Sequence, residues 1–108
     1  MEYVTISYGI TSIGSHAFAY TSIEDIVIPS SVVSVGDNAF GGCNSLGVVA
    51  LLRTAEDGIT YIHPNAFGDN FGICMLVFDE ASYYAYYNHF ISVGQEELAE
   101  YIQFIMYL

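Results

Sequence analysis

The side chains able to do chemistry are few and scattered. The chain holds three histidines, His16, His63 and His89. No two of them stand at i, i+3 or i+4, the spacings that would set two imidazoles on one helix face around a metal. Cys43 and Cys74 are too few and too irregularly placed for a disulfide framework, and both read as small buried hydrophobes. A cysteine nucleophile needs a cation or a helix N-terminus beside it to become a thiolate, and the chain has one arginine, Arg53, and no lysine. Ser12, Ser15 and the pair Ser30-Ser31 lack the Gly-x-Ser-x-Gly setting of a nucleophile elbow. The carboxylates are spread out as Glu24-Asp25, Glu56-Asp57, Asp69, Asp79-Glu80 and Glu96-Glu97. Glu56-Asp57-Gly58 falls short of a calcium loop, which needs alternating carboxylates over about twelve residues. A catalytic carboxylate pair needs one pKa raised in a cleft, and no spacing here selects a pair. The expectation is a solvated acidic surface, with no catalytic residue, no metal site, no cofactor and no enzymatic activity.

The charge balance narrows the partners. Twelve acidic residues against Arg53 give a formal net charge of −11 over 108 residues. Nucleic acid is excluded, because phosphate neutralisation needs clustered Lys and Arg. An anionic membrane surface is excluded for the same reason. No apolar run approaches the ~18 residues of a membrane span, so no membrane insertion is expected. Such a charge favours a basic protein partner and deters self-association at low salt. The N-terminus carries neither a basic segment nor an apolar signal core, so no secretory peptide is visible. Tyr3-Val4-Thr5-Ile6 already alternates like a strand, an abrupt start that fits either a fragment or a very small natural protein. Hydrophobic residues make up 54%, above the usual ~45–50%. A single domain of this length buries roughly two-thirds of its unfolded surface.

The elements that must carry these residues show in a repeat. Ile10-Thr11-Ser12-Ile13-Gly14-Ser15-His16-Ala17-Phe18 matches Val32-Val33-Ser34-Val35-Gly36-Asp37-Asn38-Ala39-Phe40 and Ile59-Thr60-Tyr61-Ile62-His63-Pro64-Asn65-Ala66-Phe67. Each has a β-branched residue at positions 1 and 4 and Ala-Phe at 8 and 9. Each is followed by an aliphatic triplet: Ile23, Ile26, Ile28; Leu46, Val49, Leu51; Ile73, Leu76, Phe78. The offsets are 22 and 27 residues, and most of the difference falls at Arg53 to Gly58, a polar stretch ending in Asp-Gly as a turn does. Each unit predicts two short strands around one phenylalanine, with Ile26 and Ile28 inward by the two-residue period. Gly14 and Gly36 are placed to supply the backbone angle of a tight turn. One unit cannot bury its own face, so neighbours must stack.

The string from Ile28-Pro29-Ser30-Ser31-Val32-Val33-Ser34-Val35-Gly36 through Asn38-Ala39-Phe40-Gly41-Gly42-Cys43-Asn44-Ser45-Leu46 resembles the BspA-like leucine-rich repeat family. Its repeats read approximately I-P-S-S-V-T-S-I-G-x-x-A-F-x-G-C-x-S-L. The match runs from residue 3 to about 78. His63 at the glycine slot, the insertion, and Asn70 where Cys43 sits depart from it. The resemblance implies a β-rich, right-handed leucine-rich-repeat solenoid of about three turns over 1–78, with Phe18, Phe40 and Phe67 in one buried column. It also implies a helical C-terminal cap or interaction segment over 79–108. Members are associated with adhesion and protein binding at the cell surface or in secreted proteins.

Within the last third, Asp79 is placed to cap a short helix running to Phe90, with Tyr83, Tyr87 and Phe90 on one face. Ala85-Tyr86 with Phe90 is similar to the family's terminal A-Y-x-x-x-W. Ser92 and Gln95 offer a capping box for a second helix from Glu96 to Leu108, with Leu98, Tyr101, Ile102, Ile105 and Leu108 as its apolar stripe. A strand from Tyr101 to Leu108 is the competing reading. The helix is expected to contact another copy or another protein.

Two functions compete. One is a non-enzymatic protein-interaction or adhesion module that binds through the exposed strand face. The other is a small structural subunit docked in a larger assembly through that face and the C-terminal helix. With Val27 outward, its equivalents are Thr5, Ala50 and Val77. The flanking columns are Tyr3, Asp25, Val48, Met75 and Ser7, Pro29, Leu52, Asp79. The candidate partner-binding residues are therefore Val27, Val48, Ala50, Leu52, Met75 and Val77, because large exposed apolar patches mark interaction sites. The alternative is that the C-terminal helix folds back over this face.

Overall fold

The repeat spacing becomes two families of short parallel strands in the computed structural model, which describes residues 5–70 and 72–104. Strands β1 (Ser12–Ile13), β3 (Ser34–Val35) and β5 (Tyr61–Ile62) form one three-stranded sheet. Strands β2 (Asp25–Ile28), β4 (Val48–Leu51), β6 (Cys74–Val77) and β7 (Ile102–Phe104) form a second sheet, in that order. Every pairing is parallel, and the chain alternates between the sheets as far as β6. Helices α1 (Glu80–Ser92) and α2 (Glu96–Glu100) lie between β6 and β7.

Ile13, Val35 and Ile62 stand in one row of the first sheet and face the core. After each of these strands the chain turns, over 15–20, 37–42 and 64–69. Successive turns are tied by backbone bonds. The N–H groups of His16, Phe18 and Tyr20 donate to the carbonyls of Asp37, Ala39 and Gly41, and those of Asn38 and Phe40 donate to Asn65 and Ala66. The repeated Ala-Phe follows from this close approach. Ala39 and Ala66 are fully buried where backbones meet. Phe18, Phe40 and Phe67 stack at centroid spacings of 5.5 and 5.7 Å. Phe40 and Phe67 are sealed, whereas Phe18 at the head of the column is half-buried. Gly36 is required by proximity rather than by a special φ, since a Cβ there would lie 2.8 Å from the Ser15 nitrogen. Gly14 has open space around it, and the left-handed backbone of these turns falls on His16 and Asn38 instead. Asn70, in the place of the packing cysteine, donates through Nδ2 to the carbonyls of Cys43 and Leu46. Cys43 itself is buried, and its thiol donates to the Phe18 carbonyl at 3.1 Å.

The register of the second sheet corrects one expectation. Ile26, Val49 and Met75 are paired in one row, and Val27, Ala50, Leu76 and Gln103 in the next. Met75 and Val77 are therefore fully buried, and Leu76 faces outward, half-buried. Ile23 to Ile26 and Leu46 to Val49 are three steps, but Ile73 to Met75 is two. One residue less before a strand sends every side chain to the opposite face.

The C-terminal segment is also corrected. Asp79 does cap α1, accepting from the Ser82 N–H at 2.7 Å. Ser92, however, ends α1 and donates to the His89 carbonyl, and α2 has no side-chain cap. The chain leaves α2 after one turn and adds β7 to the open edge of β6. Ladder bonds and the burial of Ile102 outweigh continuation of a helix that is apolar nearly all round. Leu98 and Ile102 are core residues, Tyr101 is 46% exposed, and Ile105 and Leu108 lie outside the described residues.

The insertion at 53–58 serves to seat α1. Arg53 donates to the carbonyls of Ser30, Asp57 and Gly58, closing the loop around a 3-10 turn at Ala55–Asp57. The Ala55 N–H donates to Ser82 Oγ. The fully buried Tyr86 donates its hydroxyl to the Arg53 carbonyl at 2.8 Å and accepts from the Thr60 N–H at 3.1 Å. Burial pushes the Tyr86 phenol above its ordinary value, with the bond from Thr60 and the charge of Arg53 pulling it down and that of Asp79 adding to the rise. Tyr86→Phe leaves a buried N–H and a carbonyl unpaired. It should cost about 1–3 kcal/mol at neutral pH, read from the urea midpoint. In the unfolded chain the phenol ionises near 10, while the fold holds its proton to higher pH. The contribution is thus complete below about pH 10 and falls as pH rises through the folded value. Tyr86→Phe should show a shallower alkaline loss of stability than the parent; an identical slope would contradict the burial of that phenol.

Candidate functional site: the outer face of the four-stranded sheet

A parallel sheet with one face on the core turns every second side chain to the other side. On the outer face of β2, β4, β6 and β7, Asp25, Val48 and Cys74 stand in one row, and Val27, Ala50, Leu76 and Gln103 in the next. Val27 is 53% exposed and Val48 36%, with Leu52 at 40% just beyond the end of β4. Ala50 sits between them at 9%, its small side chain sunk among longer neighbours. Cys74 and Leu76 are half-buried. Asp25 and Gln103 give the apolar strip a polar end on each side.

Of the six residues expected on this face, Val27, Val48 and Leu52 are exposed, Ala50 is in line but nearly covered, and Met75 and Val77 point into the core. The one-step slip that turns Met75 inward brings Leu76 outward. Tyr101, expected on a helix stripe, instead precedes β7 and accepts from the Met75 N–H through its carbonyl. Among the described residues the C-terminal segment does not fold over the strip; its residues 102–104 extend the sheet, and α1 packs against β7, α2 and the 3-10 turn. Sequence reasoning missed Leu76, and it held a strand in the last segment only as the competing reading to a helix, where β7 forms at 102–104. The signal for that competing strand was the apolar run itself, which suits a buried strand as well as a helix.

The single arginine, next to Leu52 in the chain, is committed to two carbonyls of its own loop, Asp57 and Gly58, and to that of Ser30. Among the described residues the one ion-pair contact is His63 Nδ1 to Asp37 Oδ1 at 3.9 Å. The same Nδ1 accepts from the Asn65 N–H at 3.0 Å. A nitrogen that accepts there has no proton for Asp37, so the local turn bond is the real interaction. Among the described residues no three His, Cys, Asp or Glu side chains gather closely enough to hold a metal, and no helix is long and apolar enough to cross a membrane.

Short parallel strands in register, a phenylalanine column and a repeated Ala-Phe turn define a leucine-rich repeat protein. The family model for the BspA type leucine rich repeat region (6 copies) matches residues 1–98. The chain belongs to this family. Its members are in general non-enzymatic modules for protein interaction or adhesion. No curated protein and no solved structure matches the chain.

Proposed function

We propose that this chain is a non-enzymatic protein-interaction or adhesion module that binds through the outer face of its four-stranded sheet. In this reading the two sheets are two sides of a right-handed solenoid of about three turns over 1–78, and 79–108 is its cap. The observation that carries the reading is the exposure of Val27, Val48 and Leu52 on one face of β2 and β4, with no element of the described structure over them. Apolar side chains grouped on a rigid sheet and rimmed by polar ones suit a protein partner better than a small molecule. The net charge of −11 favours a basic partner and steers it at low salt. The family's adhesive role fits a secreted or surface-exposed setting.

Val27→Lys with Val48→Lys tests this. Both side chains point away from the core, and a lysine at 48 sits beside Asp25 in the adjacent strand, an attractive cross-strand pair. The fold should hold to within about 1 kcal/mol, while proteins retained by the parent on an affinity column are lost. Retention of the same proteins by a folded double variant places the site elsewhere. Met75→Lys is the contrasting control: it buries an unpaired charge and should unfold the chain.

A further inference from the structure

We propose that a cleft formed across the stacked turns, away from the strand face, binds a neutral saccharide of one or two pyranose units. The cleft has a volume of about 480 Å³ and is lined by residues of all three turns, among them His16, Tyr20, Asn38, Gly42, Asn44 and Asp69. None of the outward residues of the strand face lines it.

Its backbone is unusual. Among the described residues three non-glycine residues have positive φ, His16 at 61°, Tyr20 at 61° and Asn38 at 54°, and all three line this cleft. Histidine and asparagine enter the left-handed region comparatively readily; a bulky tyrosine does not. The next repeat shows what the slot prefers, since the residue 22 positions on from Tyr20 is Gly42, with φ +72°. Tyr20 therefore holds an unfavourable conformation, and its packing returns little, for the side chain is 85% exposed. Strain kept without a packing gain points to use of the side chain. The ring stands against one wall of the cleft. It lies over the Gly42 α-carbon so closely that a Cβ at 42 would be 2.4 Å from Tyr20 Cδ1. The Tyr20 N–H is anchored to the Gly41 carbonyl at 2.8 Å.

The rest of the lining sets the ligand class. The side chains of Asn44 and Asp69 are exposed and make no hydrogen bond within the described structure, nor does that of His16. Asn38 donates through Nδ2 to Asp37 and keeps lone-pair capacity on Oδ1. An amide offers both donor and acceptor, and a carboxylate accepts twice, which suits neighbouring hydroxyl groups. An aromatic face beside them suits the C–H face of a pyranose ring. No Lys or Arg lines the cleft, and the chain's charge of −11 repels phosphorylated, sulfated or uronic ligands. The polar lining does not suit an apolar ligand.

Two-dimensional NMR titration of the full chain with maltose, lactose and N,N′-diacetylchitobiose tests the proposal. At least one should bind saturably, with a dissociation constant on the order of 1 mM, moving resonances of Tyr20, Asn44 and Asp69 but not of Val27 or Val48. Tyr20→Gly should melt at or above the parent temperature, because glycine relieves the φ, yet bind about tenfold more weakly. Asn44→Ala should weaken binding with Tm unchanged. The proposal is overturned by absence of shifts with all three sugars, by shifts centred on the strand face, or by tighter binding of a sulfated disaccharide. A lower Tm for Tyr20→Gly would overturn it too, since the ring would then be retained for packing.

Discussion

Phe40→Ala is expected to remove about 3–5 kcal/mol of stability, as large truncations of buried aromatics do. The ring is fully buried and is the middle of three, stacked on Phe18 at 5.5 Å and on Phe67 at 5.7 Å. Its removal leaves a void bounded by a ring on each side, and the turns that hold those rings are tied to one another by backbone bonds that resist collapse. A domain of this size has about 5–15 kcal/mol in total, so the variant should be partly unfolded at room temperature. Phe18→Ala should cost clearly less, because Phe18 is half-buried and has a neighbour on one side. Guanidinium unfolding followed by circular dichroism gives both values. Equal losses for the two variants, or a loss under about 1 kcal/mol for Phe40→Ala, would show that the column is not the core of the stack.

Deletion of residues 92–108 is expected to unfold the chain rather than change its association. The segment carries Leu98, Ala99 and Ile102, all buried. It also supplies β7, the strand that pairs with the edge of β6. Truncating one buried leucine or isoleucine costs about 2–5 kcal/mol; losing two together with a strand exceeds what a marginal domain has. The Met75 N–H, which donates to the Tyr101 carbonyl at 3.1 Å, would be left on an open edge. The expected readout is loss of the cooperative thermal transition. A truncated chain that melts within about 4 °C of the parent, with a changed mass in light scattering, would restore the segment as an interface instead.

The positions that repeat carried most of the legible information. The Ala-Phe pairs and the β-branched residues at Ile13, Val35 and Ile62 name their own environment, since small residues mark close backbones and alternation marks a face. The placement of Asp79 as a helix cap was legible for the same local reason. The outer face of the four-stranded sheet was legible in β2 and β4, where the spacing from Ile23 and Leu46 is equal, and illegible in β6. There, one missing residue has no local signature, while its consequence reverses a strand. The cleft was illegible altogether: nothing in the letters His, Tyr and Asn announces a positive φ, which arises from how three turns pack.

By itself, the sequence determined the repeat, its period, the residues that fill the core column, the acidic balance and the limit of one arginine with no lysine. These depend on residue type and spacing along the chain, which neighbouring units reinforce. Tertiary structure alone decided the facing of Met75 and Val77, the reach of Arg53 to the Ser30 carbonyl, the burial of the Tyr86 hydroxyl and the strand at 102–104. Each turns on a partner far away in sequence. The edge of β6 needs donors and acceptors whatever the helix propensity of residues 96–108, and a buried carbonyl recruits the nearest hydroxyl or guanidinium. Local preferences are worth a few tenths of a kcal/mol per residue, whereas an unpaired buried polar group costs about 1–3 kcal/mol, so the long-range demand wins where the two disagree.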